Sequence, residues 1–160
     1  MPFDASEAWD TPIIVVHLPQ GSESMAISHH PNIGDVLVCE FPECLEEPEM
    51  VKRRPVVVIS RQLPGRPKLC TVVPLSTTVP NPVQKYHVEV ATPNAPKPFD
   101  SPTKWAKGDM VYTLSIDRMS RFKVVNKTTG QRSYVTCRLT LDDLKAVKEC
   151  VRNGLSLVEK

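Results

Sequence analysis

An arginine at the start of an apolar run is the first residue that could do chemistry. Arg54 follows two other cations and precedes Pro55, after which come three valines and an isoleucine. Proline fixes its own φ and disfavours helix at the residue before it, so the run predicts a strand, Arg54–Arg61. Because Val56–Ile59 is apolar throughout, we expect burial on both faces of this strand. A guanidinium at its start would be held in place, where it could contact two oxygens of a phosphate.

Hydroxyl groups at the end of the next apolar run are the second feature. Leu69–Leu75 predicts a strand, and Ser76, Thr77 and Thr78 follow it. If the two strands are antiparallel neighbours, Arg54 and these hydroxyls lie at the same edge of the sheet. A fixed cation beside a hydroxyl that donates a hydrogen bond suits a phosphate. Taken singly, each of these residues is also common in turns and at strand ends, so the prediction depends on their coming together.

A cation and a carboxylate form the third feature. Lys107 and Asp109 are two residues apart, just before the predicted strand Met110–Ser115. On an extended chain two such residues share a face. We therefore expect this pair to lie side by side, where it could move a proton and balance charge.

Other kinds of site are not indicated. The sequence has no Gly-rich phosphate loop, no cluster of zinc ligands and no Gly-x-Ser-x-Gly elbow, so we expect neither a cofactor nor a metal. Cys39 or Cys70 could pair with His87 as a nucleophile. Cysteines in apolar strands are usually inert buried thiols. The five cysteines are odd in number and scattered, which indicates a reducing compartment. No apolar run approaches membrane-spanning length, so we expect a cytoplasmic protein.

The charge is unevenly distributed along the chain. Residues 1–50 contain ten acids and no Lys or Arg, so residues 51–160 carry all 20 cations against eight acids. A basic body behind an acidic front segment favours binding to a polyanion, with partial screening by the chain itself.

Short strands and one helix must position these residues. Proline makes up 16 of the 160 residues, which limits helix. The further predicted strands are Gly34–Phe41, Tyr86–Val90 and a hairpin of Arg121–Val125 with Ser133–Arg138. Ala91–Lys104 is predicted as a Pro-rich loop. The last element is an amphipathic helix with Thr140 as its N-cap, Asp143 in a capping-box-like position and Gly154 at its end. This order predicts a mainly β fold, a small curled barrel with a helix packed on it.

Three blocks of sequence resemble the PemK/MazF family of toxin endoribonucleases. They are Gly34–Val38, Arg54–Ser60 and Val73–Ser76, and a closing helix follows at Leu141–Leu155. The resemblance spans about residues 33–155. It implies an SH3-like (CcdB/PemK-type) barrel domain over residues 33–160, behind an extension, residues 1–32, with at most one strand at Ile13–His17. It also implies a homodimer that cuts single-stranded RNA without a metal, and an antitoxin that covers the groove.

The resemblance also implies roles for individual residues. Arg54 matches the arginine that stabilises the charged phosphorane. Ser76 matches the active hydroxyl residue, usually Thr, with Thr77 as the neighbour if the register slips by one. Lys107 and Asp109 resemble the Arg-x-Asp of PemK-type members, in which these residues are the proposed acid and base. The lysine in place of arginine is a departure from that pattern.

The RNA contacts are expected around the same edge of the sheet. The residues assigned to RNA binding are Lys52, Arg53, Thr77, Thr78 and Glu49. Between the first two strands, PemK-type members carry a histidine, whereas this chain has glutamates at positions 43, 46, 47 and 49. The identity of the proton acceptor therefore stays open. We expect this acidic loop to lie over the basic groove and to regulate RNA access.

The implied reaction uses the nucleophile that RNA carries. The ribose 2′-OH attacks the adjacent phosphorus and leaves a 2′,3′-cyclic phosphate and a 5′-OH, so the protein supplies only a base, an acid and charge stabilisation. Two alternatives remain at this point. The same barrel could be a non-catalytic binding module, either a gyrase-directed toxin or an RNA binder, or a structural β-domain that uses its charged face for protein contacts.

Overall fold

Eleven strands, one 3₁₀ helix and one α-helix make up the part of the chain that the computed structural model describes, residues 16–17 and 27–157. The strands are β1 (Val16–His17), β2 (Asp35–Glu40), β3 (Arg53–Val58), β4 (Leu69–Ser76), β5 (His87–Ala91), β6 (Thr103–Lys107), β7 (Tyr112–Ser115), β8 (Met119–Ser120), β9 (Phe122–Val125), β10 (Arg132–Val135) and β11 (Cys137–Arg138). The 3₁₀ helix is Ile116–Arg118 and α1 is Leu141–Gly154.

The main sheet is antiparallel and is centred on β2, β3 and β4. Its strand order is β11-β2-β3-β4-β6-β5, with β7 also paired to β4 and β8 to β2. Alternate residues of the central strands enter two different clusters of buried side chains: Val57 and Val73 lie in one, and Val56 and Val72 lie in the other. The apolar run after Pro55 is therefore buried on both faces, as predicted.

The helix closes one side of the core. The backbone N–H of Asp143 donates to the hydroxyl of Thr140 at 3.2 Å, which confirms the predicted N-cap. Leu144 and Val147 lie on the inner face of α1 and are buried. The helix contacts β5 and β6, and its last residue is Gly154, as predicted. None of the described helices is long and apolar enough to cross a membrane.

The prediction of a loop throughout Ala91–Lys104 is wrong at its end. Thr103–Lys107 forms β6, which pairs with both β4 and β5. The strand was hidden because Lys104 is fully buried and polar. Its ammonium donates hydrogen bonds to the hydroxyl of Thr92 and to the carbonyl oxygen of Ser101, at 2.7 Å for the latter. These partners let a lysine occupy an inward position of a strand.

A separate sheet of three strands, in the order β1-β10-β9, lies beside the main sheet. The hairpin of β9 and β10 confirms the predicted one, except that Cys137–Arg138 leaves it and forms β11, which pairs with β2. Val16 pairs with Tyr134 and His17 with Ser133, so part of the strand predicted at Ile13–His17 is present. Residues 13–15 and most of the predicted extension lie outside the described residues. The division at residue 32 stays a prediction.

Candidate functional site

Arg54 is the second residue of β3, shortly after a bend at Lys52. Lys52, two residues before Arg54, has φ 68°, in the left-handed region. Its carbonyl oxygen accepts from the N–H of Phe41 at 3.2 Å. A non-glycine residue there carries backbone strain. The Nε of half-buried Arg54 donates to the carbonyl oxygen of Val51 at 3.2 Å. This hydrogen bond holds the guanidinium at its Nε. Within residues 27–157 the guanidinium makes no ion pair.

The register of β3 and β4 directs Arg54 and Ser76 towards the same edge of the sheet. The paired residues are Val56 with Pro74, Val57 with Val73 and Val58 with Val72; continued two positions beyond this ladder, the same register would place Arg54 opposite Ser76. Because side chains alternate along a strand, these two point to the same face, and neighbouring strands are about 5 Å apart. The expectation that the two strands are antiparallel neighbours is therefore met. One phosphate group could contact both side chains.

The Ser76 hydroxyl is positioned to donate. The backbone N–H of Thr78 donates to the Oγ of Ser76 at 3.2 Å, which leaves the hydroxyl proton of Ser76 available. Ser76 is only 5% exposed, whereas Thr77 and Thr78 follow the strand end and are exposed. The three hydroxyls thus differ in accessibility, and Ser76 is the one held within the strand.

Lys107 and Asp109 do not share a face of an extended strand, so that expectation is wrong. Lys107 ends β6, and the N–H of Met110 donates to its carbonyl oxygen at 3.0 Å, which closes a turn. The cause is the close packing of Gly108 on α1, where a Cβ would lie 2.4 Å from the carbonyl carbon of Cys150. Asp109 is exposed on this turn and makes no ion pair in the described part of the chain.

Three residues with no role assigned from the sequence share the face of Arg54: Trp105, Glu89 and His87. Trp105 pairs with Ser76 and with Glu89, and Lys107 pairs with His87. Trp105 is half-buried, and it is not among the side chains that pack against either core cluster. The alternation of His87 and Glu89 along one strand could have predicted their common face. Trp105 was missed because residues 105–109 were interpreted as the approach to the strand Met110–Ser115 and not as part of a strand of their own.

The ring of His87 is held by the turn before β5. Its Nδ1 accepts from the N–H of Gln84 at 3.1 Å, so a neutral ring carries its proton on Nε2. The ring also meets Tyr86 edge-on, with centroids 4.5 Å apart. His87 is therefore an oriented donor at the edge of the same face.

The thiols are unsuited to nucleophilic chemistry. Burial raises the pKa of Cys39 to about 12 and that of Cys70 to about 11. Both stay protonated near neutral pH, where only a thiolate would react. A Cys–His pair is also not formed among the described residues, because the Nδ1 of His87 accepts from the N–H of Gln84 and the Sγ of Cys70 donates to the carbonyl oxygen of Thr71. The interpretation of inert thiols agrees with this environment.

Lys52 and Arg53 lie on a different surface from Arg54. They line a cleft of about 780 Å³ together with Glu40, Glu43 and Arg118. Arg53 pairs with Glu40 across the ladder and points away from the face of Arg54, because consecutive strand residues alternate. This cleft contains neither Arg54 nor Ser76.

Of the four glutamates in the loop between β2 and β3, one reaches this cleft. Glu43 lines the cleft, whereas Glu46, Glu47 and Glu49 are exposed and form no ion pair with the cations of residues 27–157. The carboxylate of Glu49 accepts from the N–H of Glu46 at 2.9 Å, so it is turned towards its own loop.

One known family of proteins has a sequence pattern that matches most of this chain. The sequence pattern of the PemK-like, MazF-like toxins of type II toxin–antitoxin systems matches residues 32–155. This chain belongs to that family. The predicted resemblance is thereby confirmed.

Known proteins extend the comparison. The uncharacterised protein YifN of Escherichia coli (strain K12) is 32% identical over 153 residues, which is 84% of this chain and 99% of YifN. An uncharacterised protein of Haemophilus influenzae is 28% identical over 144 residues, 82% of this chain and 96% of that protein. Neither name assigns an activity.

Solved structures share the fold at low identity. A mycobacterial endoribonuclease in complex with its cognate antitoxin has a TM-score of 0.54 and 16% identity, over 82% of this chain and all of that chain. The Mycobacterium tuberculosis toxin MazF-mt6 has a TM-score of 0.53 and 18% identity, over 78% of this chain and 98% of that chain. The predicted fold class, a mainly β barrel with a C-terminal helix, is confirmed.

Proposed function

We propose that this toxin is a metal-independent endoribonuclease that cleaves single-stranded RNA by attack of the ribose 2′-OH. The observation that supports the proposal is the antiparallel register of β3 and β4, which, continued two residues past its last pair, would set Arg54 opposite Ser76 on one face. Family membership and the endoribonucleases among the structures of the same fold support it.

Arg54, Ser76 and Trp105 then each have a task. The free Nη groups of Arg54 contact the non-bridging oxygens of the scissile phosphate, where negative charge grows as the 2′-oxygen attacks. The hydroxyl of Ser76 donates to the same phosphate, and its position is held by the N–H of Thr78. Trp105 pairs with Ser76 and offers an aromatic face on which a base beside the phosphate can stack.

Proton transfer is assigned by the family pattern. Asp109 is the proposed base and Lys107 the proposed partner that balances charge and assists the acid step. Lys107 lies on the face of Trp105, because the two are alternate residues of β6. Asp109 follows on the turn that packs against α1. Its reach to the 2′-OH is part of the proposal.

The partners follow from the family. We propose a cognate antitoxin that covers the RNA-binding surface, a homodimeric toxin and a cytoplasmic site of action, where single-stranded RNA is available. The structure of a mycobacterial endoribonuclease with its cognate antitoxin supports the first of these.

The experiment is a cleavage assay on a long single-stranded RNA in the presence of EDTA. We expect discrete fragments that end in 2′,3′-cyclic phosphate and begin with 5′-OH. Chemical analysis of the ends separates this reaction from metal-dependent hydrolysis, which leaves other termini. If the RNA is bound but stays intact, the non-catalytic alternative replaces the proposal.

A further inference from the structure

A second surface gathers cations beside the proposed active site. The cleft of about 780 Å³ adjoins another of about 270 Å³, and the two share Arg53, Arg118, Glu40 and Asp117. The smaller one is also lined by Arg121, Lys123, Arg132 and Tyr134. We name the surface formed by Arg53, Arg118, Arg121, Lys123 and Arg132 the arginine cleft.

The cations of the arginine cleft exceed its carboxylates. They come from β3, the 3₁₀ helix, the residue between β8 and β9, and the strands β9 and β10. None of the five forms an ion pair with another described residue. Asp117 is already paired, at 3.2 Å, with Lys68, which does not line the cleft. Among the described residues that line the two clefts, Glu40 and Glu43 are the carboxylates left to offset the five cations.

This arrangement fits a polyanion. Five like charges on one wall repel one another, and a bound polyanion removes that repulsion. Four of the five are arginines, whose planar guanidinium matches the oxygens of a phosphate better than an ammonium does. Half-buried Tyr134 lies in the same cleft and can stack on a base, as aromatic residues do in sites for single-stranded nucleic acids.

The arginine cleft and the proposed active site lie on the two faces of β3, at its first two residues, Arg53 and Arg54. Arg53 and Arg54 are consecutive in β3 and point to opposite faces. An RNA chain that contacts Arg54 and passes around the start of β3 therefore reaches Arg53 next. An acidic protein partner would also neutralise the charges. The position of Arg53 beside Arg54 and the presence of Tyr134 among the cations favour RNA instead.

We propose that the arginine cleft binds the backbone of single-stranded RNA next to the cleavage point. The proposal rests on the proposed function for the identity of the polyanion. The cleft then lengthens the bound segment of RNA beyond the residues that touch the scissile phosphate.

The test compares two double variants with equal loss of charge. Lys123→Ala/Arg132→Ala removes two cations of the arginine cleft, and Lys145→Ala/Lys148→Ala removes two exposed cations of α1 as the matched control. The ligand is a short 2′-O-methyl RNA of mixed sequence, which lacks the nucleophile and stays intact. Affinity is measured between about 50 and 200 mM salt, since phosphate contacts set the salt dependence of binding. Thermal unfolding of each variant verifies that it is folded.

The expected result is a change in slope for the cleft variant alone. Each phosphate contact on a single strand contributes about 0.7 to the slope of log affinity against log salt, so the loss of two contacts lowers its magnitude by about 1.4. The control variant should keep the wild-type slope. Equal slopes for the two variants would overturn the proposal. So would tight binding of a glutamate-rich peptide to the cleft with no binding of the RNA.

Cleavage of unmodified RNA by the wild type separates this proposal from the proposed function. Cleavage with equal slopes in the two variants means that the cleft assignment alone fails. No cleavage, with a slope that falls only in the cleft variant, means that the ribonuclease assignment fails and the cleft is a nucleic-acid site without it.

Discussion

Replacing Arg54 with alanine should remove most of the cleavage and leave the fold intact. The side chain is half-buried and makes one hydrogen bond, from Nε to the carbonyl oxygen of Val51. Losing one such bond costs about 0.5–1.5 kcal/mol, and 1 kcal/mol corresponds to about 2–4 °C in Tm for a chain of this size. In contrast, losing a donor aimed at developing negative charge lowers the rate by about 100- to 1,000-fold, or about 3–4 kcal/mol. The two effects are therefore far apart.

The assay is single-turnover cleavage of a long single-stranded RNA with enzyme in excess, so that the chemical step is followed. Arg61→Ala is the matched control, because Arg61 is an exposed arginine beyond the other end of β3. Arg54→Lys keeps the charge but loses the planar fork, so its rate should lie between those of wild type and Arg54→Ala. If Arg54→Ala cuts as fast as Arg61→Ala, the assignment of Arg54 is refuted.

Three other predictions test neighbouring parts of the molecule. Ser76→Ala should lower the single-turnover rate by about 100-fold, whereas Ser76→Thr should keep the hydroxyl and most of the rate; equal rates for both variants would remove Ser76 from the site. Neutralising Glu46, Glu47 and Glu49 as glutamines should strengthen RNA binding at low salt and lose this effect at high salt; an unchanged affinity would mean that the acidic loop does not regulate access. Burial lowers the pKa of Lys104 from 10.5, so the folded protein binds fewer protons than the unfolded chain below that pH. The free energy of unfolding of wild type, measured with urea, should thus rise relative to Lys104→Met as the pH increases from neutral towards 10.5. The cysteines are present in both proteins, so their own ionisation in the unfolded chain cancels in this difference; a constant difference would contradict the direction of the shift.

The sequence was informative where local patterns and burial agree. The apolar runs after Pro55 and from Leu69 onwards are strands because β-branched side chains are favoured in extended backbone and both faces of the sheet are covered. Two consecutive strands are usually neighbours, so the ends at Arg54 and Ser76 could be placed together in advance. The N-cap at Thr140 was equally readable, because capping is a contact within three residues.

The sequence was uninformative where distant contacts decide the local structure. β6 contains a buried lysine whose partners, Thr92 and Ser101, lie in the preceding loop. The turn after Lys107 exists because α1 occupies the space that a straight strand would need beside Gly108. The arginine cleft joins Arg53 to residues more than sixty positions later, a proximity that only the folded sheet creates. None of these contacts leaves a periodic pattern.

Helix α1 takes part in positioning the site, although it supplies none of the proposed catalytic groups. Its backbone meets the turn after β6 at two glycines: a Cβ on Gly108 would lie 2.4 Å from the carbonyl carbon of Cys150, and a Cβ on Gly154 would lie 2.7 Å from the backbone nitrogen of Asp109. Backbone contact this close leaves no room for the turn to slide along the helix. The end of β6 is thus fixed, and β6 pairs Trp105 with Ser76. Because the hydroxyl of Ser76 must stay level with Arg54 to serve one phosphate, the packing of α1 on Gly108 bears on the chemistry through the position of β6.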